Sequence, residues 1–212
     1  MSHPAKLRIG ILGSGRGSNA QSILESAGCG DIRAEVVIVL SDVEDAMILE
    51  RARHFEVPGR FIAPGKWKTK IEPAIEAEYV AALREASVDL VALTGFMRML
   101  KSDFLGAFPN RILNIHPSLL PAFPGLESWK QALEYGAKVA GCTVHFVNDA
   151  VDNGPIILQA AVPVFDGDTP ETLHERIQEQ EHRIYPQAIR LFAEGRLRIE
   201  GRRVRILPAV GP

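Results

Sequence analysis

Several features that would mark a special environment are missing from this sequence. It has two cysteines, Cys29 and Cys142, in 212 residues. That is too few for a disulfide framework, and neither has a C-x-x-C partner for a metal. Both are expected to be buried, reduced thiols. Long hydrophobic runs are also absent. The short apolar stretch Leu7–Leu12 ends at once in glycines, unlike the longer apolar core of a signal peptide. Nothing approaches the roughly 20 apolar residues of a membrane span. The expectation is a soluble protein of the cytoplasm with no membrane partner. Neither sign of charge dominates: 24 Lys and Arg stand against 26 Asp and Glu, a formal net charge of −2. Such a balance argues against nucleic acid as a partner, while leaving room for a local phosphate site. There is no G-x-S-x-G elbow for a serine nucleophile. Repeats and low-complexity linkers are missing too, so residues 1–212 are expected to form a single domain.

What the chain does contain is alternation. Leu7–Leu12 is almost wholly apolar, which suggests a strand buried on both faces. It leads into Gly13-Ser14-Gly15-Arg16-Gly17-Ser18 and a helical stretch over 19–27. A second buried strand spans 34–40, and Ser41 and Asp42 are N-cap residue types ahead of a helix over 45–55. A helix over 72–86, with Pro73 tolerated in its first turn, precedes a third buried run, Leu90–Leu93. This order predicts an α/β fold, Rossmann-like, with a mostly parallel central sheet and helices on both faces. In such sheets ligands bind beyond the carboxyl ends of the strands.

After residue 93 the pattern changes. A strand over 111–116 runs into the proline-rich PSLLPAFPG, and a helix over 127–135 stops at Gly136. Longer strands over 139–147 and 155–164, joined by a polar loop, predict antiparallel pairing toward the C-terminus. A long helix over 171–194 carries Leu173, Ile177, Ile184, Ala188, Leu191 and Phe192 on one face. The tail RLRIEGRRVRILP reads as a small hairpin.

Three places could carry chemistry. The glycine loop lies between a strand and a helix, where free backbone N–H groups and the helix dipole favour an anion. Gly15 and Gly17 allow close approach, and Ser18 and Asn19 offer side-chain hydrogen bonds. The same residues admit two other readings. One is a loose dinucleotide fingerprint with Asp42 toward a ribose, and the other is a tight turn with no ligand. Second, Asn114 and His116 point to one side of a strand end. An amide there suits a developing oxyanion, and an imidazole suits the same charge or a proton transfer; a His capping a proline turn is the plainer alternative. Third, Asp149 and Asp152 sit in a Gly/Pro loop. If that loop folds beside His116, Asp152 can orient the imidazole and accept a proton through water; otherwise it is turn chemistry. His145 reads first as a structural histidine, with a further partner in this site as the alternative. A zinc site from His116, His145, Cys142 and Asp152 lacks any ligand pair at metal-binding spacing.

Five separated stretches together carry a resemblance: GSGRGSN at 13–19, GFMRML at 95–100, NIHPSLLPAFPG at 114–125, TVHFV at 143–147 and DNGPIILQ at 152–159. In this order and spacing the chain resembles the phosphoribosylglycinamide formyltransferases, folate-dependent enzymes of purine synthesis, from about Leu7 to Glu194. The resemblance implies a single-domain formyltransferase fold. Its N-terminal half would bind the ribonucleotide phosphate, and its C-terminal half would bind folate and carry the catalysis. It further implies Asn114, His116 and Asp152 as the catalytic trio. Gly15, Gly17, Ser18 and Asn19 would hold the phosphate, with Arg16 standing where the family often has a smaller polar residue. Gln178 and Glu181 would hold the ribose. Met97, Arg98 and Leu100 would form the folate cleft wall, with Val147, Asn148 and Asp149 in the loop enclosing the pterin. The implied partners are glycinamide ribonucleotide and 10-formyltetrahydrofolate as co-substrate, with no metal, in a monomer or homodimer. A tRNA-directed formyltransferase would carry a further C-terminal domain and a deformylase an N-terminal regulatory one, and neither is expected here.

Overall fold

A computed structural model describes residues 5–67 and 69–209. The chain divides into two compact units, Met1–Leu113 and Asn114–Pro212. The α/β class, with a mostly parallel sheet and antiparallel strands toward the C-terminus, is as expected.

In the first unit, β1 (Leu7–Leu12) pairs in parallel with β2 (Ala34–Ser41) on one side and with β4 (Leu90–Leu93) on the other. The short β3 (Gly59–Phe61) extends the sheet beyond β2. Ile9, Ile11, Val39, Leu40, Leu90, Val91 and Ala92 are buried. Each Ile, Leu and Val among them contributes about 1.5–3 kcal/mol relative to leaving it in water, and strands this apolar are stable only when covered on both faces. The cover comes from α1 (Ser18–Gly28) on β2, α2 (Met47–His54) on β2 and β3, and α3 (Pro73–Glu85) beside α4 (Ser102–Ala107). A Cβ on Gly10 would lie 2.5 Å from the Leu83 side chain of α3, so that helix packs closely on the sheet at this position. The order β3-β2-β1-β4 reverses direction between β1 and β4. The crevice at such a reversal is where α/β sheets bind ligands. The glycine loop leaves β1 there, and the run after Leu93 leaves β4 there.

The strand β5 (Ile112–His116) begins in the first unit and ends in the second. In the second unit, β6 (Val139–Phe146) and β7 (Ile156–Pro163) are antiparallel, with a bulge between Val144 and His145. A terminal hairpin of β8 (Leu197–Glu200) and β9 (Arg203–Ile206) joins β7 through β9. The helix α6 (Pro170–Ala193) packs on β6 and β7, and α5 (Ser128–Tyr135) packs on α6. Of the predicted apolar stripe on α6, Leu173, Ile177, Ile184, Ala188 and Leu191 are buried, and Phe192 is partly exposed. Thr169 caps α6 in a reciprocal capping box with Thr172, and Pro170 opens the helix.

Three expectations are corrected. Ser41 and Asp42 do not cap α2, whose N-cap is Ala46. Ser41 instead closes a turn, its hydroxyl accepting the Val43 N–H. Cys29 is exposed, because the chain leaves α1 between Gly28 and Gly30 at the surface; only Cys142 is buried. The strand β3 and helix α4 were not anticipated. One has three largely exposed residues and the other six, too short to show periodicity.

Replacing Thr169 by Ala removes the side-chain half of the cap that opens α6. It should lower stability by about 1 kcal/mol, read as a reduced urea midpoint at unchanged slope.

Candidate active site

In the first unit the glycine loop enters α1 without a side-chain cap. Gly17 caps α1 in the left-handed conformation (φ 69°) without a side-chain cap, and the first turn carries no acidic residue. No side chain competes there as a cap or with a negative charge, and the helix dipole favours an anion at that end. Gly17 has to be glycine: a Cβ would come within 2.8–3.0 Å of Ile48, besides the strained φ. A Cβ on Gly15, by contrast, would meet open space. Ser18 and Asn19 lie half-buried in the first turn, and Arg16 is exposed, its carbonyl accepting from the Arg51 guanidinium at 2.7 Å.

The run 95–100 braces this loop. Ser14 N–H donates to the Gly95 carbonyl at 3.1 Å, and Met97 N–H donates to the Ser14 hydroxyl at 2.9 Å. Met97 is exposed rather than packed in the core, and Leu100 is partly exposed. The Arg98 guanidinium donates from Nε to Asp42 Oδ2 at 2.6 Å and from Nη1 to the Trp67 carbonyl. Asp42 is therefore engaged with arginine, which removes the reason for reading it as a ribose ligand in a dinucleotide site.

In the second unit four side chains converge. Asn114 and His116 lie two residues apart on β5, on one side of the strand as expected. The His116 ring donates from Nε2 to the Phe123 carbonyl at 3.0 Å, since a carbonyl can only accept. That leaves Nδ1 facing Asp152 Oδ2 at 3.4 Å. The same carboxylate oxygen accepts the Gly125 N–H at 2.8 Å. Asp152 sits in the left-handed region at φ 49°, and Phe123, whose carbonyl holds His116, at φ 50°. Backbone strain of this kind, about 1–3 kcal/mol per residue, gathers at functional sites. With Nε2 protonated, a bare Nδ1 and a bare carboxylate would turn lone pairs toward each other. The contact is favourable with one proton held between the two groups, the arrangement a proton relay needs.

His145 is the member that sequence reasoning took for a structural group. Its Nδ1 donates to the Phe146 carbonyl at 2.8 Å, and its Nε2 stands 3.3 Å from the Asn114 amide nitrogen and 3.9 Å from Asp152 Oδ1. Burial holds its pKa below the ordinary 6.5, against the pull of the Phe146 carbonyl and the Asp152 carboxylate. No local signal separates such a histidine from a packed one, because the bulge at Val144/His145 sets where the ring lies.

The other predicted residues of this unit are more dispersed. Asn148 folds the loop on itself, its side chain accepting Ala150 N–H and donating to the Asn153 carbonyl. Val147 is half-buried and Asp149 exposed. Gln178 and Glu181 share α6; Glu181 is buried, Gln178 half-buried. Burial, and next the Glu181 carboxylate, push the Cys142 thiol up to about 12, so Cys142 is a packed thiol and no nucleophile. Sequence reasoning missed Thr143 and Gln159. The Thr143 hydroxyl donates to the Ser118 carbonyl and accepts from Leu120 N–H and Gln159 Nε2. These bonds hold the 117–121 turn beyond His116. Among the described residues, no group of three or more His, Cys, Asp or Glu is arranged to hold a metal ion.

The sequence profile of the formyl transferase family matches residues 7–189. The chain is 42% identical over 193 residues to phosphoribosylglycinamide formyltransferase of Escherichia coli, covering 91% of this chain and 90% of that protein. It is 43% identical over 196 residues to the bovine trifunctional purine biosynthetic protein adenosine-3. That match covers 92% of this chain but only 19% of the larger protein. Among solved structures, glycinamide ribonucleotide transformylase 1 from Symbiobacterium toebii superimposes with a TM-score of 0.93 at 58% identity, over 97% of this chain and 96% of that one.

Because burial depresses the His145 pKa, unfolding frees an imidazole that takes up a proton the folded chain refuses. The unfolded state then binds more protons below about pH 6.5, so stability falls as pH drops through that value and is insensitive to this group above it. Urea unfolding between about pH 5 and 8 should show this slope, and His145→Phe should flatten it.

Proposed function

The chain belongs to the formyl transferase family, and from that premise we propose that it transfers the formyl group of 10-formyltetrahydrofolate to the amine of glycinamide ribonucleotide. The products are formylglycinamide ribonucleotide and tetrahydrofolate, and the reaction is a step of purine biosynthesis. The homologues that match over almost their whole length carry that name, phosphoribosylglycinamide formyltransferase.

One observation supports the mechanism above all: His116 faces the mostly buried Asp152 carboxylate, and His145, beside the same carboxylate, contacts the Asn114 amide. Formyl transfer needs two things from a protein. As the amine attacks, the formyl oxygen becomes an oxyanion, which a positioned N–H donor and a nearby positive charge stabilise. A proton must also leave the attacking nitrogen and reach the departing folate nitrogen. Asn114 carries the free amide N–H for the first task. The proton held between His116 and Asp152 gives the site its positive charge while it sits on the ring. Asp152 then accepts the amine proton through a water and returns it to the folate nitrogen. This sequence moves protons and breaks one C–N bond while forming another, with no redox step.

The remaining roles divide by unit. In the first, Gly15, Gly17, Ser18 and Asn19 hold the ribonucleotide phosphate on the uncapped start of α1, with Arg16 as an added cation. Met97, Arg98 and Leu100 form a wall for folate, Arg98 held rigid by Asp42. In the second, Val147, Asn148 and Asp149 enclose the pterin, and Gln178 and Glu181 hold the ribose. Both halves work as one formyltransferase domain, in a monomer or homodimer, in the cytoplasm. Among the described residues no helix is long and apolar enough to cross a membrane.

Absorbance change on deformylation of 10-formyltetrahydrofolate, with and without glycinamide ribonucleotide, tests the reaction. Turnover is expected only with the ribonucleotide; equal turnover without it would make the protein a hydrolase. Asp152→Asn should lower kcat by about 10²–10⁴-fold while thermal unfolding stays close to wild type. Turnover at the wild-type rate would remove Asp152 from the mechanism. A side chain at Gly15 should raise the KM for the ribonucleotide and leave that for folate unchanged.

A further inference from the structure

We propose that His145 is a positioning residue for the reaction: held neutral in one tautomer, it turns the Asn114 amide so that its NH₂ group faces the reacting centre. The proposal rests on the reading of Asn114 as the oxyanion donor. Five features of the second unit carry it.

First, the Phe146 carbonyl can only accept, so the 2.8 Å contact with Nδ1 places a proton on Nδ1. Second, Gly154 packs so tightly that a Cβ there would sit 1.6 Å from the Phe146 oxygen and 3.3 Å from His145 Nδ1. The close approach of that backbone helps fix where the carbonyl and the ring lie. Third, with Nδ1 protonated, neutral His145 has its lone pair on Nε2. At 3.3 Å from the Asn114 amide nitrogen, Nε2 accepts one of its two N–H groups. An amide in the opposite flip would turn its oxygen's lone pairs onto that nitrogen, so the contact selects one orientation of a group that otherwise has two. The second N–H of Asn114 is left for a ligand oxygen. Fourth, the bulge between Val144 and His145 breaks the alternation of β6 and sets the ring's place in the site. Fifth, the His145 side chain is only 3% exposed, so water does not compete for Nε2.

The groups facing the ring are Asn114 and His116 from β5 and Asp152 from the loop after β6. Asp152 Oδ1, at 3.9 Å from Nε2, is beyond hydrogen-bond distance and leaves that nitrogen to the amide. A purely structural histidine would need its two ring nitrogens satisfied by any partners. Here one of the two partners is the amide assigned to the transition state.

The test is a double-mutant cycle on the full chain with 10-formyltetrahydrofolate and glycinamide ribonucleotide. His145→Phe keeps a buried ring of similar shape and removes the acceptor. It should lower kcat by about a hundredfold with both KM values little changed, and His145→Gln, whose side-chain oxygen can stand in for Nε2, should restore much of the loss. In an Asn114→Ala background the same His145→Phe change should cost less than about threefold, because the amide it positions is gone. Equal losses in both backgrounds would overturn the positioning role while leaving the reading of Asn114 intact. Wild-type turnover in Asn114→Ala alone would overturn both. Should His145→Phe fail to fold, ¹⁵N NMR of the wild-type imidazoles decides. Neutral His145 protonated on Nδ1 is expected, and an Nε2–H tautomer or a charged ring near neutral pH would overturn the proposal.

Discussion

A carboxylate placed beside two imidazoles is the arrangement around which the second unit is organised. To bring Asp152 there, the chain turns through the left-handed region at a residue that has a Cβ, and it does so again at Phe123. Conformations of this kind cost about 1–3 kcal/mol each and persist where the surroundings over-determine them. Here the surroundings are specific. Gly125 N–H donates to the carboxylate, the Phe123 carbonyl takes the His116 Nε2 proton, and Gly154 admits the backbone where no side chain would fit. Loosen any one of these and the His116–Asp152 pair loses the geometry that lets it share a proton.

The first unit follows a different principle. It has no side-chain cap at the start of α1, where a serine, aspartate or threonine often supplies one. Glycine at that position gives the helix its left-handed entry without supplying a competing oxygen. The neighbouring run 95–100 is tied to this loop through Ser14, and its arginine is tied to Asp42. The glycine loop and the run 95–100 are thereby braced together, at the switch point of a parallel sheet.

Much of this was legible beforehand. Leu7–Leu12 and Leu90–Leu93 are strands to the residue, because the second is an unbroken apolar run, the first is broken only by Arg8, and each is followed by turn formers. Thr169-Pro170 opens α6 and Gly136 closes α5, since capping preferences act over one turn of chain. Asn114 and His116 on one side of a strand end follow from the two-residue period. The failures share a cause as well. Ser41 and Asp42 are good caps in isolation, yet Asp42 is claimed by Arg98, which is distant in sequence. Cys29 is exposed because a loop between two glycines carries it away from the core. His145 was assigned to packing because nothing within a few residues of it shows that the strand bulges there.

By itself the sequence determined the order and type of the main elements, the glycine loop ahead of a helix, and the place of Asn114 and His116 on one side of a strand end. These depend on period, capping and backbone freedom, all of which act within a few residues. Only the tertiary structure decided what those residues do to one another. It set which nitrogen of His116 faces Asp152, that His145 stands against Asn114, and that Arg98 is clasped by Asp42. Such relations depend on ring orientation and carbonyl placement to within about an ångström. They are set by strand register, a bulge and backbone approaches between segments far apart in the chain, and no local pattern encodes them.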